Sequence, residues 1–484
     1  MTSSVLVAAN RGPVAFDVDV GGALRARRGG GGLVSALRGL GGSEALWVCA
    51  ALSDADRRAV REAPGGRLDL AGHDVGPVPV RMLPVDPVTF QRAYNGVANS
   101  TLWFLSHLLF ATATAPSFDS RSQREWAAYT DYNAAFARAL AAEAAPGAAV
   151  LVQDYHLSLV PRQLRLLRPD LRIAHFSHTP WAPPEYFRLL PDTVARELLE
   201  GLLGADSLGF HSRRWADAFR RCAADVLGAR ALEGGSEGPV THGGRTTSLA
   251  VLPLGVDGAE LRERAAADDV ASRLPGLRAL VGDRQVLLRV DRTELSKNIV
   301  RGLEAYRELL RGWPEHRGRV VHLVLAYPSR HDLPEYREYT AAVQRVVREI
   351  DEEFATDDWL PVHLEVLDDY PRSLAAYTLA DVVVVNALRD GMNLVAKEVP
   401  VLSRDGVALV LSREAGAADE LGADALLVNP FDVAQTARAM HEGLTMAPVE
   451  RAARTARLAA AATALPPAAW LAEQLAALPP AAPA

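Results

Sequence analysis

Residues 389–398 read Arg-Asp-Gly-Met-Asn-Leu-Val-Ala-Lys-Glu, shortly after the apolar run 382–385. An apolar run, a charged loop and then helix-forming residues describe the carboxyl end of a buried parallel strand. Open α/β sheets bind their ligands there. Backbone N–H groups at Gly391, Met392, Asn393 and Leu394 are expected at the N-terminus of a helix, where unpaired donors and the helix dipole favour phosphate. Asp390 precedes these donors and Glu398 follows about two helical turns later, both suited to accept from sugar hydroxyls. A second constellation, Asp291-Arg292-Thr293-Glu294-Leu295-Ser296-Lys297-Asn298, follows the run 286–290. Arg292 offers a planar fork and Lys297 a mobile point charge, a pair that suits a diphosphate leaving group.

Weaker signals lie elsewhere. Asn10-Arg11-Gly12-Pro13 is followed by Arg27-Arg28 and four glycines, 29–32. Such a run lets backbone approach a ligand closely. It is not a P-loop, since no Gly-Lys-Ser/Thr follows, and it lacks the acidic partner of a dinucleotide fingerprint. Gln153-Asp154-Tyr155-His156 and Phe176-Ser177-His178-Thr179-Pro180-Trp181 each follow an apolar run, so Asp154 and His178 would stand at strand ends. Tyr94 and Trp103 bracket a polar stretch and read first as core aromatics. Pro328-Ser329-Arg330 follows the run 320–326, and Asp17-Val-Asp19 reads as a solvated hairpin.

Positioning these groups takes strands at 5–9, 150–153, 173–176, 208–210 and 249–253. A second set is expected at 286–290, 320–326, 382–385, 408–411 and 425–428. Runs that are mostly apolar rather than alternating suit parallel strands covered on both faces. Helical patterns at 125–142, 215–226, 299–311 and 333–353 fall between them. The alternation predicts an α/β chain with doubly wound sheets. Two sets imply two domains, 1–255 and 256–450. A helical, then Pro-rich segment, 451–484, is expected to pack back on the first.

At 484 residues the chain is long enough for two cores. Its 52 Lys and Arg against 59 Asp and Glu leave a net charge of −7, which argues against a nucleic-acid partner. No apolar run is long enough to span a bilayer, and the first residues lack a basic signal-peptide region. Two cysteines, Cys49 and Cys222, make no disulfide framework or zinc motif. A cytoplasmic protein without membrane or nucleic-acid partners is expected, and a homo-oligomer is compatible with all of this.

Taken in order, these motifs resemble the trehalose-6-phosphate synthases, retaining nucleotide-sugar glycosyltransferases of the GT-B fold. The likeness runs from Asn10-Arg11 to about Asp432. It rests on 389–398, Asp154-Tyr-His156, His178-Thr-Pro180, Arg292 with Ser296-Lys297, Ser329-Arg330 and Asn429-Pro-Phe-Asp432. The resemblance implies two Rossmann-like domains facing a central cleft, the first binding the acceptor and the second the nucleotide sugar. It implies that Arg292 and Lys297 hold the donor diphosphate with Gly32 and the backbone of 391–394. Glu398 would bind the ribose, and His178 and Asp390 the donor glucose. Arg11, Tyr94, Trp103 and Arg330 would hold the acceptor, with Asp154. The implied substrates are UDP- or GDP-glucose and glucose 6-phosphate, with no metal and no other cofactor.

Three departures stand out. The family's Trp-x-Gly-Trp reads Trp47-Val-Cys49-Ala50, and Leu295 and Asn298 stand where Tyr and Gly are usual. They lean toward a sister group that couples two cyclitols, whereas Met392–Glu398 keeps the sugar-transferring form. A catalytically inactive sugar-phosphate sensor is the rival from another class. Intact Arg292, Lys297, Asp390 and Glu398 argue against it.

Overall fold

The computed structural model describes residues 2–28, 45–63, 66–68, 79–232, 234–330 and 332–480. They form two compact units, Met1–Leu254 with Pro467–Ala484, and Gly255–Pro466. The tail expected from residue 451 divides between them: helix Pro448–Ala462 belongs to the second unit and Pro467–Ala476 to the first.

The second unit is built on six parallel strands. In chain order they are Gln285–Arg292, Val320–Tyr327, Val362–Val366, Val382–Val385, Ala408–Ser412 and Leu426–Val428. Across the sheet they lie third, second, first, fourth, fifth, sixth. The β-branched run Val382–Val385 is buried on both faces, as a central parallel strand must be. Leu287 and Leu288 pair with Val382 and Val383, so the first and fourth strands are neighbours. The strand order reverses there, and the reversal leaves a crevice at the carboxyl ends.

The first unit repeats the plan. Its parallel strands are Ser3–Ala8, Ala45–Ala50, Val80–Leu83, Ala144–Gln153, Arg172–Ser177, Ser207–Phe210 and Arg245–Val251. They take the same order with the seventh added at one edge, and short antiparallel strands extend both edges. Here the reversal falls between Ser3–Ala8 and Ala144–Gln153. Asn10-Arg11 and Asp154 follow those two strands.

The covering helices are amphipathic. Ile299–Gly312 buries Ile299, Leu303, Tyr306 and Leu310 on one stripe, the spacing of a single helical face. Arg213–Leu227 starts on a Ser212 cap and ends at Gly228, whose φ of 65° suits the C-terminal turn. Asp17-Val-Asp19 does lie in a hairpin, Val14–Val18 with Leu24–Arg28, and the Asp19 carboxylate accepts from Gly21 and Ala23. No helix among the described residues is long and apolar enough to cross a membrane.

Candidate active site

In the second unit the reversal point gathers the charged residues. Arg292 ends its strand and Lys297 lies in the 3₁₀ turn Leu295–Lys297. Lys297 Nζ meets Asp390 Oδ2 at 2.5 Å, with both side chains largely buried. Two backbone and side-chain ties hold the loops together: Leu388 N donates to Ser296 O at 2.8 Å, and Asn298 Nδ2 donates to Asn386 O at 2.9 Å. Beneath them Arg289, wholly buried, pairs with Asp291 at 3.1 Å and donates to Lys297 O at 3.0 Å and to Asn386. Burial pushes the Asp291 carboxyl up to about 6, against the pull of Arg289. Burial works against the Lys297 ammonium, but Asp390 and Asp291 outweigh it, and its pKa is raised. Lys297 is therefore a fixed cation at neutral pH.

The loop 390–394 is a backbone construction. Asp390 N donates to Glu414 O, Gly416 N to Asp390 O at 3.0 Å, and Ala417 N to Met392 O at 3.0 Å. Gly416 has no room for a side chain, since a Cβ would sit 2.0 Å from Gly391 O. Asn393 takes a φ of 95°, donates to Asp390 Oδ2 at 3.1 Å and accepts from Ala396 N. Helix Val395–Leu402 starts immediately after Leu394. Glu398 therefore sits in its first turn rather than two turns along, close to the loop. Tyr377 Oη donates to Glu398 Oε2 at 3.1 Å, and burial raises the Glu398 carboxyl to about 7. Lys397, the motif's other charge, turns inward to Glu420 at 2.5 Å and fastens the helix.

Arg330 also belongs to this unit. It adopts a φ of 44° and donates to Tyr336 Oη at 2.6 Å. Between it and Arg292 lies Glu294, a fully buried carboxylate that sequence reasoning passed over. Its sign is wrong for binding phosphate, and only the fold shows which cations it faces.

The first unit holds Arg11, Tyr94, Trp103, Asp154 and His178. Arg11 Nη2 donates to Tyr94 Oη at 3.4 Å, and Tyr94 stacks on His156 with centroids 5.5 Å apart. His156 Nδ1 is 3.7 Å from Asp154 Oδ2. Asp154 takes a φ of 72° while its N–H donates to Phe176 O at 2.7 Å. A non-glycine residue held there costs about 1–3 kcal/mol, and such strain clusters at functional sites. Trp103 is buried against His107 and Tyr155, with centroids at 3.9 and 5.7 Å. Tyr94 lies on the wide helical stretch Arg92–Leu102, which leads directly into Trp103.

His178 sits in a chain of hydrogen bonds. Leu254 N donates to His211 Nδ1 at 3.4 Å, which leaves His211 Nε2–H to donate to His178 Nδ1 at 3.2 Å. His178 Nε2–H then donates to Gln153 Oε1 at 3.0 Å, and Gln153 Nε2 to Gln474 Oε1 at 3.0 Å. Trp470 closes the ring face, 5.6 Å from His178 and 4.7 Å from Phe176. Burial lowers the His178 pKa to about 4, so the imidazole is neutral. Gln474 and Trp470 come from helix Pro467–Ala476 and carry no local motif, so nothing in the sequence pointed to them.

Gly32 lies outside the described residues. Asn298 has a φ of 59°, the left-handed conformation that explains why glycine is usual there. Its side chain also donates to Pro430 O at 2.7 Å and accepts from Arg301 at 3.1 Å. Ala50 is buried at the end of its strand, and Cys49 Sγ occupies the space beside Gly12. Among the described residues, the group of three His and carboxylate side chains close enough to share an ion is Glu315, His316 and His441. It lies at the amino end of Val320–Tyr327, the opposite end of that sheet from Lys297.

Comparison with known proteins finds this fold and family elsewhere. The family model described as "Glycosyltransferase family 20" matches residues 3–479. The bifunctional trehalose-6-phosphate synthase/phosphatase of Thermoproteus tenax is 35% identical over 93% of this chain and 60% of its own length. Across eight curated relatives the chain spans between 47% and 92% of their lengths. Among solved structures, an E. coli protein bound with UDP-2-fluoro glucose superposes with a TM-score of 0.84 at 26% identity, covering 98% of both chains. A UDP-forming alpha,alpha-trehalose-phosphate synthase from Burkholderia xenovorans, in complex with glucose-6-phosphate, gives 0.83 at 28% identity, covering 98% of this chain and 99% of its own. The paired doubly wound units are those of the GT-B class. The chain belongs to glycosyltransferase family 20.

Proposed function

We propose that this chain transfers glucose from UDP-glucose to the anomeric hydroxyl of glucose 6-phosphate, with retention, giving alpha,alpha-trehalose 6-phosphate. The observation that carries the reading is the Arg292, Lys297 and Asp390 group at the strand-order reversal of a family 20 chain. The donor base follows the UDP-forming relatives. In this reading Arg292, Lys297 and the backbone of Gly391, Met392, Asn393 and Leu394 hold the diphosphate, with Gly32. Glu398 accepts from the ribose hydroxyls. Asp390 and His178 orient the glucose. Arg11, Tyr94, Trp103, Asp154 and Arg330 hold the acceptor.

The chemistry is a front-face substitution. The bond from glucose C1 to the diphosphate oxygen breaks, and a bond from C1 to the acceptor oxygen forms on the same face. The acceptor's proton passes to the departing phosphate oxygen. Double displacement would need a carboxylate free to attack C1, whereas Asp390 is tied to Lys297 and Glu398 to Tyr377. Arg292 and Lys297 stabilise charge growing on the leaving group, and preorganised electrostatics of this kind is usually a large term. Two fixed cations supply the neutralisation that a divalent metal provides in other transferases. Activity that survives a chelator is therefore expected.

The test is nucleoside diphosphate release from UDP-glucose and from GDP-glucose, each with and without glucose 6-phosphate. UDP released only when the acceptor is present supports the reading. No release with either donor refutes it.

A further inference from the structure

We propose that Glu294 is a positioning residue that sets the two arginines expected to hold phosphate on opposite sides of the reaction, Arg292 for the donor and Arg330 for the acceptor. The inference rests on the transfer reaction proposed above. Glu294 is completely buried, yet its carboxylate faces both guanidinium groups. Its Oε1 lies 2.7 Å from Arg292 Nη1 and 3.7 Å from Arg330 Nη1, and accepts from Ser329 Oγ at 2.7 Å. All three contacts fall on one oxygen. The second, Oε2, is buried and has no hydrogen-bond partner among the described residues. Burial alone would favour the neutral acid, but Arg292, Arg330 and Lys297 outweigh it, and the pKa is lowered. Glu294 is thus an ionised carboxylate at neutral pH, with cations on two strand-end loops as its compensation.

The backbone supports the same reading. Glu294 N donates to Arg292 O at 2.7 Å, and Thr293 N donates to Tyr327 O at 2.8 Å. The loop after Gln285–Arg292 is therefore latched to the loop after Val320–Tyr327, which carries Ser329 and Arg330. The strained φ of Arg330 fits a side chain held for a purpose. The Arg292 side chain is 47% exposed, while that of Arg330 is 12% exposed and Glu294 not at all. One buried anion thereby orients a cation that reaches solvent and a cation that barely does. An arginine fork is valuable to phosphate only when its direction is fixed.

The test is steady-state kinetics on the full chain carrying Glu294→Gln, with glucose 6-phosphate and with glucose as acceptors. The expected result is a rise in KM for both substrates: about tenfold for UDP-glucose, the fold-change for the charge-assisted contact of Arg292, and about threefold for glucose 6-phosphate, since Arg330 meets Glu294 as an ion pair at 3.7 Å and donates to Tyr336. The residual use of glucose, which offers Arg330 no phosphate, should show no added acceptor-side loss. Glu294→Gln combined with Arg330→Ala should lose little more glucose 6-phosphate affinity than Arg330→Ala alone. Should Glu294→Gln fail to fold, Glu294→Asp carries the test. It keeps the charge on a side chain one methylene shorter, which cannot reach both arginines, and the same acceptor-dependent rise is expected. Equal losses with glucose and glucose 6-phosphate, or additive losses in the double variant, would overturn the proposal. Failure of the unaltered chain to release UDP would instead refute the reaction it rests on.

Discussion

Asn298→Gly is expected to weaken the second unit and leave donor use intact. The side chain makes three hydrogen bonds: to Asn386 O at 2.9 Å, to Pro430 O at 2.7 Å, and from Arg301 at 3.1 Å. The first two are buried and worth about 1 kcal/mol each net, so glycine should cost about 2 kcal/mol. Glycine also relieves the left-handed backbone and adds entropy to the unfolded chain, each by about 1 kcal/mol, and these offset. Asn298→Ala loses the same bonds, keeps the strain asparagine already carries and gives up asparagine's local tolerance of the left-handed region, for about 2–3 kcal/mol in all. Urea unfolding is the assay. With a slope of about 2–3 kcal/mol per M, the midpoint should fall by ~0.8 M for glycine and ~1 M for alanine. KM for UDP-glucose should stay within about twofold in the glycine variant, since the backbone path to Lys297 is kept. A glycine variant as stable as the parent, or one with altered donor-base preference, would refute the reasoning. Asn298 would then act on substrate choice and not on the loop.

Donor affinity should depend on pH through Glu398. Its carboxyl is raised by burial to about 7, so a ribose held there would meet an acceptor above that pH and a neutral acid below it. KM for UDP-glucose should therefore rise as pH falls through 7, and binding near pH 7 should release a proton, measured by calorimetry in two buffers of different ionisation enthalpy. A pH-independent KM, or a Glu398→Gln variant that keeps the dependence, would contradict this. Lys297→Ala should lower kcat by about 10²–10³-fold if Lys297 carries transition-state charge. A loss confined to KM would assign it to ground-state binding instead. Trp470 is fully buried, so Trp470→Ala should cost about 3–5 kcal/mol in the first unit, read by thermal unfolding. Gln474→Leu should cost much less stability but lower kcat, because Gln153 loses the partner that aims it at His178. Dialysis against a chelator should leave the rate unchanged.

Much of the framework was legible because parallel strands buried on both faces must be apolar throughout. Val382–Val385 and Val320–Tyr327 announce themselves in that way, and the charged loops after them mark strand ends. Val362–Val366 was not read as a strand, because its Val-His-Leu-Glu-Val alternation belongs to an edge position with one wetter face. Ala45–Ala50 is a strand that the departing motif Trp47-Val-Cys49-Ala50 overlies. At the site, cations suited to phosphate could be picked out by type, as with Arg292 and Lys297. Their counter-charges could not: that Asp390 lies 2.5 Å from Lys297, 93 residues away, depends on pairing between distant strands. Gln474 reaches Gln153 across 321 residues, and no local pattern encodes such a contact.

The return of the chain to its first unit sets a timetable for synthesis. Phe176, His178 and His211 emerge from the ribosome early, but Trp470, which covers all three, follows the whole of Gly255–Pro466. At 5–20 residues per second that interval lasts roughly 10–40 s. Throughout it the nascent first unit carries an uncovered aromatic face beside its catalytic histidine candidate, a surface fit for chaperone capture or for misassembly with a neighbouring nascent chain. A stop codon between residues 433 and 469 would prolong that exposure indefinitely, so such truncations should behave as folding defects although every residue proposed to bind substrate is still present.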